Sequence, residues 1–155
     1  MTNRIPPQIP PLLPPGDMPP IRNQLDLHAH WRALMGPLGF SKRTLWLMFV
    51  GPDGGVDGHL TQIDLVPARP VQRMLDQLLR TCAEILTHDL PPGTTVAFLR
   101  TRPGSGPVGD EDVAWAAGLL EAADAAGVSC RPVHVANDEQ VAVVPVDDLP
   151  RRAAG

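Results

Sequence analysis

Arg100-Thr101-Arg102-Pro103-Gly104-Ser105-Gly106, followed after three residues by Asp110-Glu111-Asp112, is the stretch on which the reading of the fold turns. Upstream of it, residues 94–100 read as a strand. Alternation puts Val96, Phe98 and Arg100 on one face, and Ala97 and Leu99 on the other. Glycines and prolines break the chain over residues 103–109. A helix is expected over residues 110–126, with three carboxylates in its first turn that complement the helix dipole. Gly127 closes it.

Further upstream, residues 45–50 (Leu-Trp-Leu-Met-Phe-Val) are a continuous apolar run bounded by turn residues, the pattern of a central strand buried on both faces. Gly51-Pro52-Asp53-Gly54-Gly55 predicts a turn. Residues 59–66 then predict an antiparallel partner strand, with Ile63 and Leu65 on one face and Gln62 and Asp64 on the other. Pro67 and Pro70 end it. Val71, Met74, Leu75, Leu78, Cys82, Ile85 and Leu86 follow one helical face, which predicts a helix over residues 71–87. A short helix over residues 24–35 is stopped by Gly36-Pro37 and Gly39. Residues 1–22 form a proline-rich arm with Pro6-Pro7, Pro10-Pro11, Pro14-Pro15 and Pro19-Pro20. Paired prolines disfavour helix. The arm reads either as a surface extension or as a docking segment for a neighbouring subunit or a proline-recognising partner.

Downstream, two strands are expected over residues 129–136 and 140–146, joined by Asn137-Asp138-Glu139. Pro132 points to an exposed edge on the first. His134, between Val133 and Val135, reads as a solvent-facing position. Residues 151–155 read as a frayed tail. The order helix, strand, strand, helix, strand, helix, strand, strand predicts an α/β (α+β) domain over residues 23–150, a mixed sheet flanked by helices.

A chain of 155 residues suits one such domain. Its net charge of -4 gives no general attraction to nucleic acid or to an anionic membrane. There is no tyrosine for a base-stacking platform. No apolar window is long enough to span a bilayer, and the N-terminus lacks a secretory pattern, so the cytoplasm is the expected address. Cys82 and Cys130 lack metal or redox spacing and read as small buried hydrophobes.

The hairpin, the helix, the strand ending in Arg100-Thr101-Arg102-Pro103, its glycine-containing loop, the helix with an early aspartate and the closing valine-rich hairpin follow one another over residues 45–146. In these features the chain resembles the RadC-like branch of the JAB/MPN domain, related to cytidine-deaminase-like sheets. The family motif reads His-x-His-Pro-Ser-Gly, then Ser-x-x-Asp at the next helix start. Its two histidines and aspartate hold zinc, and a glutamate from an earlier strand activates water. Here Arg100 and Arg102 fall on the histidines, with Thr101 between them, and Pro103 on the proline. Asp112 is nearest the metal-binding aspartate, with the loop about one residue short, and Gly109 or Asp110 replaces the serine. Asp64 is the acidic residue of the second hairpin strand.

The departures carry a physical consequence. Zinc takes imidazole, thiolate or carboxylate ligands, whereas a guanidinium is always charged and offers no lone pair. Arg100 and Arg102, two apart on a strand, share a face and repel a cation. The expectation is therefore no metal, no cofactor and no catalytic residue. An arginine instead replaces the metal's charge and pairs with Asp112 or Asp110 in a degenerate motif pocket of Arg100, Thr101, Arg102, Asp110 and Asp112. The expected role is a protein-binding or scaffold module acting through a sheet edge, the arm or self-association. A homodimer is in keeping with it.

Two other readings stand beside this one. Arg100 and Arg102 before a helix N-terminus could grip a small anion or nucleotide phosphate, although the acidic run at the same helix start opposes it. His28-Ala29-His30, beside Asp26, could serve a relocated metal-dependent hydrolase site, with His59, His88 or His134 completing it. Residues two apart on a helix do not face each other. The simpler reading of His28 and His30 is two partly exposed polar side chains. His88 suits a helix C-terminus, and Ser105 lacks the strand–turn–helix context of a hydrolase nucleophile.

Overall fold

β1 (Thr44–Val50) is almost wholly buried, and the domain is built outward from it. The computed structural model describes residues 18–145, without the side chains of residues 57–59. The arm up to residue 17, Val146, the C-terminal tail and the His59 side chain lie outside the described residues. Around β1 come α1 (Gln24–Met35), β2 (Val56–Asp64), α2 (Gln72–His88), β3 (Thr95–Thr101), α3 (Asp110–Ala126), β4 (His134–Ala136) and β5 (Val141–Val143). The strands form one mixed sheet in the order β2-β1-β3-β4-β5. β1 runs antiparallel to both its neighbours, β3 and β4 are parallel, and β5 returns antiparallel to β4. No described helix is long and apolar enough to cross a membrane.

Strand alternation divides the core in two. Leu45, Leu47, Phe49, Val96, Phe98 and Val135 face α2 and α3, with Leu75, Leu79, Trp115 and Leu119 packed on them. Met48, Val50, Ala97, Leu99 and Ala136 face the other way, against Leu27 and Trp31 of α1 and against Ile21. α1 starts at Asn23, whose side chain accepts the Asp26 N–H at 2.9 Å. Its end is held by the Arg32 guanidinium on the Gly36 carbonyl. α3 ends at Gly127 in the left-handed region.

α2 and α3 approach closely at Gly118. A Cβ there would stand 2.6 Å from Leu75 Cδ1, the end of a flexible side chain. Gly118→Ala is therefore expected to be near neutral in urea denaturation, because the shift of Leu75 is offset by a helix-propensity gain of about 1 kcal/mol. Gly118→Leu, which must push the helices apart, is expected to cost about 1–3 kcal/mol.

Several expected boundaries move. β2 begins at Val56 and stops at Asp64, because Leu65 has a positive φ of 58° and leaves the sheet, 77% exposed. A register shift between Met48 and Val50 carries the hairpin further toward its turn than residues 59–66 suggested. The strand expected over residues 129–136 is only His134–Ala136, with a separate bridge from Cys130 to Val96. Pro132, which lacks an N–H, lies in that interruption. β4 is nevertheless an interior strand, not the exposed edge that Pro132 suggested; the outer strands are β2 and β5. His134 is correspondingly buried, not solvent-facing, because its pairing with Leu99 points it to the α1 face. His30 is also buried, at 6% exposure, rather than partly exposed. Cys82 is buried and Cys130 half-buried. Burial pushes the thiols up to about 11 and about 12, respectively, so both stay protonated and unreactive.

Candidate functional site

Arg100 lies in a row of side chains that crosses the α2/α3 face of the sheet. The register aligns Ile63, Leu45, Arg100 and Val135. Arg100 is thus a guanidinium on an apolar surface, 1% exposed, and such a charge must be paired. Its Nη1 donates to Asp112 Oδ1 at 2.6 Å, and its Nη2 to Glu111 Oε2 at 3.1 Å and to the Ala68 carbonyl at 3.2 Å. The guanidinium carbon stands 6.0 Å from the centre of the Trp115 ring. Trp115 Nε1 donates to the Pro67 and Ala68 carbonyls at 3.2 and 3.0 Å. Arg100 and Trp115 together stitch the β2–α2 connection to the start of α3.

Arg102, two residues on, emerges on the same face and closes on the same carboxylate. Its Nε donates to Asp112 Oδ1 at 2.9 Å and its Nη2 to Asp112 Oδ2 at 2.8 Å, a two-pronged pair. Asp112, 2% exposed, also accepts the Gly109 N–H at 3.0 Å, which ties the carboxylate to the helix start. Burial opposes the Asp112 charge. The Arg102 hydrogen bonds, the Gly109 N–H and the charges of both arginines outweigh it and hold the carboxyl below its usual range. Hydrogen bonding to Asp112 raises Arg102 above its ordinary value. Arg43 extends the network, with Nε 3.6 Å from Glu111 Oε2.

The loop between β3 and α3 is clamped from the β4–β5 turn. Asp138 accepts the Phe40 N–H and the Gly104 N–H, both at 2.9 Å, and these bonds lower its carboxyl. Glu139 accepts the Gly106 N–H, and Asn137 and Gln140 donate to the Gly106 carbonyl.

Of the residues expected in the pocket, the structure therefore brings together Arg100, Arg102 and Asp112. Thr101 does not join them. Alternation sends it to the α1 face, where its hydroxyl accepts Trp46 Nε1–H at 3.0 Å. Asp110 is exposed at the first helical position, and Glu111 makes the contact to Arg100 in its stead. Asp64 pairs in register with Thr44, on the face away from Arg100, and is bound to Lys42, Thr44 and Gln62. Nη1 and Nη2 of Arg100 and Nε and Nη2 of Arg102 are engaged by internal carboxylates and carbonyls.

The structure brings His28 beside His134. His28 donates through Nε2 to the Val141 carbonyl at 2.8 Å, and its ring lies 6.0 Å from that of His134. His30 is buried with Nδ1 unpartnered, and His88 sits at the exposed end of α2. No group of three or more His, Cys, Asp or Glu side chains suited to a metal occurs among the described residues. A cavity of about 390 Å³ lies at the far end of β1 and β3, between Pro52, Asp53, Leu90 and Thr94. It gathers none of the expected site residues.

Glu111, Trp115 and Asp138 were missed as partners. Glu111 and Asp138 were each read only as part of an acidic helix start or turn, and the Ala68 carbonyl has no side-chain signature. Comparison of the chain with protein-family models, with curated proteins and with solved structures finds no match.

Proposed function

We propose that this chain is a non-catalytic JAB/MPN-like domain that acts as a protein-binding or scaffold module, with arginines standing where the family's metal ligands would be. The observation that carries the reading is the buried Arg100–Asp112–Arg102 cluster. It joins the end of β3 to the start of α3, the location the resemblance assigns to zinc, and it supplies positive charge without an open coordination position. The row beside Arg100 supports the same reading. Ile63, Leu45 and Val135 are apolar, so these strand neighbours offer no carboxylate to activate water. The hairpin, the crossover helices and the closing hairpin occur in the order the resemblance requires. The binding role draws on β2, an outer strand carrying the exposed Leu60 and followed by the exposed Leu65.

Restoring the ligand chemistry tests this reading. The double variant Arg100→His/Arg102→His, with Asp112 as third ligand, is expected to hold about one zinc per chain, and the parent none. Metal content after dialysis, with circular dichroism to verify folding, reads the outcome. A folded double variant that retains no more zinc than the parent would remove the basis for placing a degenerate metal site at Arg100 and Arg102.

A further inference from the structure

The buried side-chain polar atoms without a hydrogen-bond partner among the described residues are His30 Nδ1, Trp31 Nε1, His134 Nε2 and Arg100 Nε. All but the last belong to the layer between α1 and the sheet. This is also the smaller of the two cores. His134 is fully buried on β4, facing α1. Its Nδ1 lies 3.2 Å from the Pro132 carbonyl, an acceptor only, so Nδ1 carries the proton and Nε2 is left as a bare lone pair. His28 fastens α1 to β5 through the Val141 carbonyl. Three of these four buried polar atoms thus lie beneath α1 without a protein partner among the described residues.

We propose that α1 is an acid-releasable cover: on mild acidification His134 takes up a proton only when α1 has left the sheet, so acid uncovers the apolar face of Met48, Val50 and Leu99. The charged and titratable groups around His134 offer its cation no partner. On α1 these are Asp26, His28, His30 and Arg32. Asp26 Oδ2 accepts the backbone N–H of Arg22 at 3.0 Å at the helix start, and Arg32 is bound to the Gly36 carbonyl. His28 is a second potential cation 6.0 Å away. β1 and β5 carry no titratable side chain, and Arg100 on β3 lies on the opposite face.

The direction follows from linkage. Burial lowers His134 to about 4, only partly offset by its bond to Pro132, and burial also lowers His30. A depressed histidine leaves the docked state fully favoured above the ordinary value of 6.5, and that advantage is lost as pH falls from 6.5 toward 4. Each such histidine shifts the balance about tenfold per pH unit within this window, so His134 alone contributes about 30-fold at pH 5.

Amide NMR spectra of the full chain between pH 7.5 and 4.5 test the proposal. The native cross-peaks of α1 are expected to weaken as pH falls from about 6.5 toward 4.5, ahead of those of α2 and α3. His134→Asn, which keeps a donor for Pro132 and cannot titrate, is expected to move the α1 midpoint to lower pH. Concerted loss of all elements, or an α1 still docked at pH 4.5, would overturn the proposal. Should the variant fail to fold, the His134 ring resonances of the parent decide the matter. A ring that gains its proton near pH 6.5 with α1 still docked counts against the proposal, and a ring neutral until α1 departs supports it.

Discussion

Replacing Asp112 with alanine is expected to lower the unfolding free energy by about 3–5 kcal/mol in urea denaturation, the range seen when one member of a buried ion pair is removed. The reason is what remains behind. Arg100, 1% exposed, keeps Glu111 and the Ala68 carbonyl but loses its shortest bond, and Arg102 loses its two-pronged partner. The Gly109 N–H loses its acceptor as well. Arg102→Ala should cost less, because Arg102 is the more exposed arginine and Asp112 retains Arg100. The double change Arg100→Met/Asp112→Leu should recover only part of the loss: it removes the unpaired Arg100 charge, while Arg102 and the Gly109 N–H still lack Asp112. Acid has the matching effect on the parent. Asp112 is held below its usual range, so its contribution is complete above 3.8 and is lost as pH falls through its lowered folded value. A cost under about 1 kcal/mol for Asp112→Ala would mean that the cluster is an incidental contact.

How much of this was legible in the sequence depends on the kind of signal each part leaves. The apolar run of β1, the helical periodicity of α2 and the limits of α1 and α3 were readable, because periodicity and glycine stops are local. The pairing of Arg100 with Asp112 was also foreseeable, because a buried arginine requires a carboxylate and the next helix start supplies one. The assignment of Thr101 to the pocket contradicted the alternation already in hand. By contrast, the Ala68 carbonyl as a partner of Arg100 and Trp115 depends on how the β2–α2 connection returns over the sheet, and carbonyls leave no trace in residue type. The burial of His134 and the interior place of β4 depend on sheet order. Pro132 misled because a proline excludes pairing only at its own residue, and the strand resumes at His134. The end of β2 was hidden by the apolar character of Leu65, which reads as strand and is held out of it by a positive φ.

Gly54→Val is expected to be the other severe substitution, at about 2–4 kcal/mol. Gly54 has a φ of +86°, which a β-branched residue adopts only under strain. A Cβ at this position would lie 2.8 Å from Ile21 O and 2.9 Å from Ile21 N, backbone atoms that cannot rotate aside. The same backbone donates the Ile21 N–H to the Gly54 carbonyl at 2.7 Å, so relief of the clash breaks that bond. Ile21 is 1% exposed in the core shared with Leu27 and Trp31, and displacing it loosens α1 on the sheet. Gly55→Ala is the control, because its Cβ would meet only the Asp53 carboxylate, at 3.2 Å, which can turn away. Urea midpoints should therefore separate the two adjacent glycines widely, and equal costs would refute the close approach of Ile21. The acid response supplies a second reading. If Ile21 and α1 share one core, Gly54→Val raises the pH at which α1 leaves the sheet, whereas a clash confined to the hairpin turn leaves that pH unchanged.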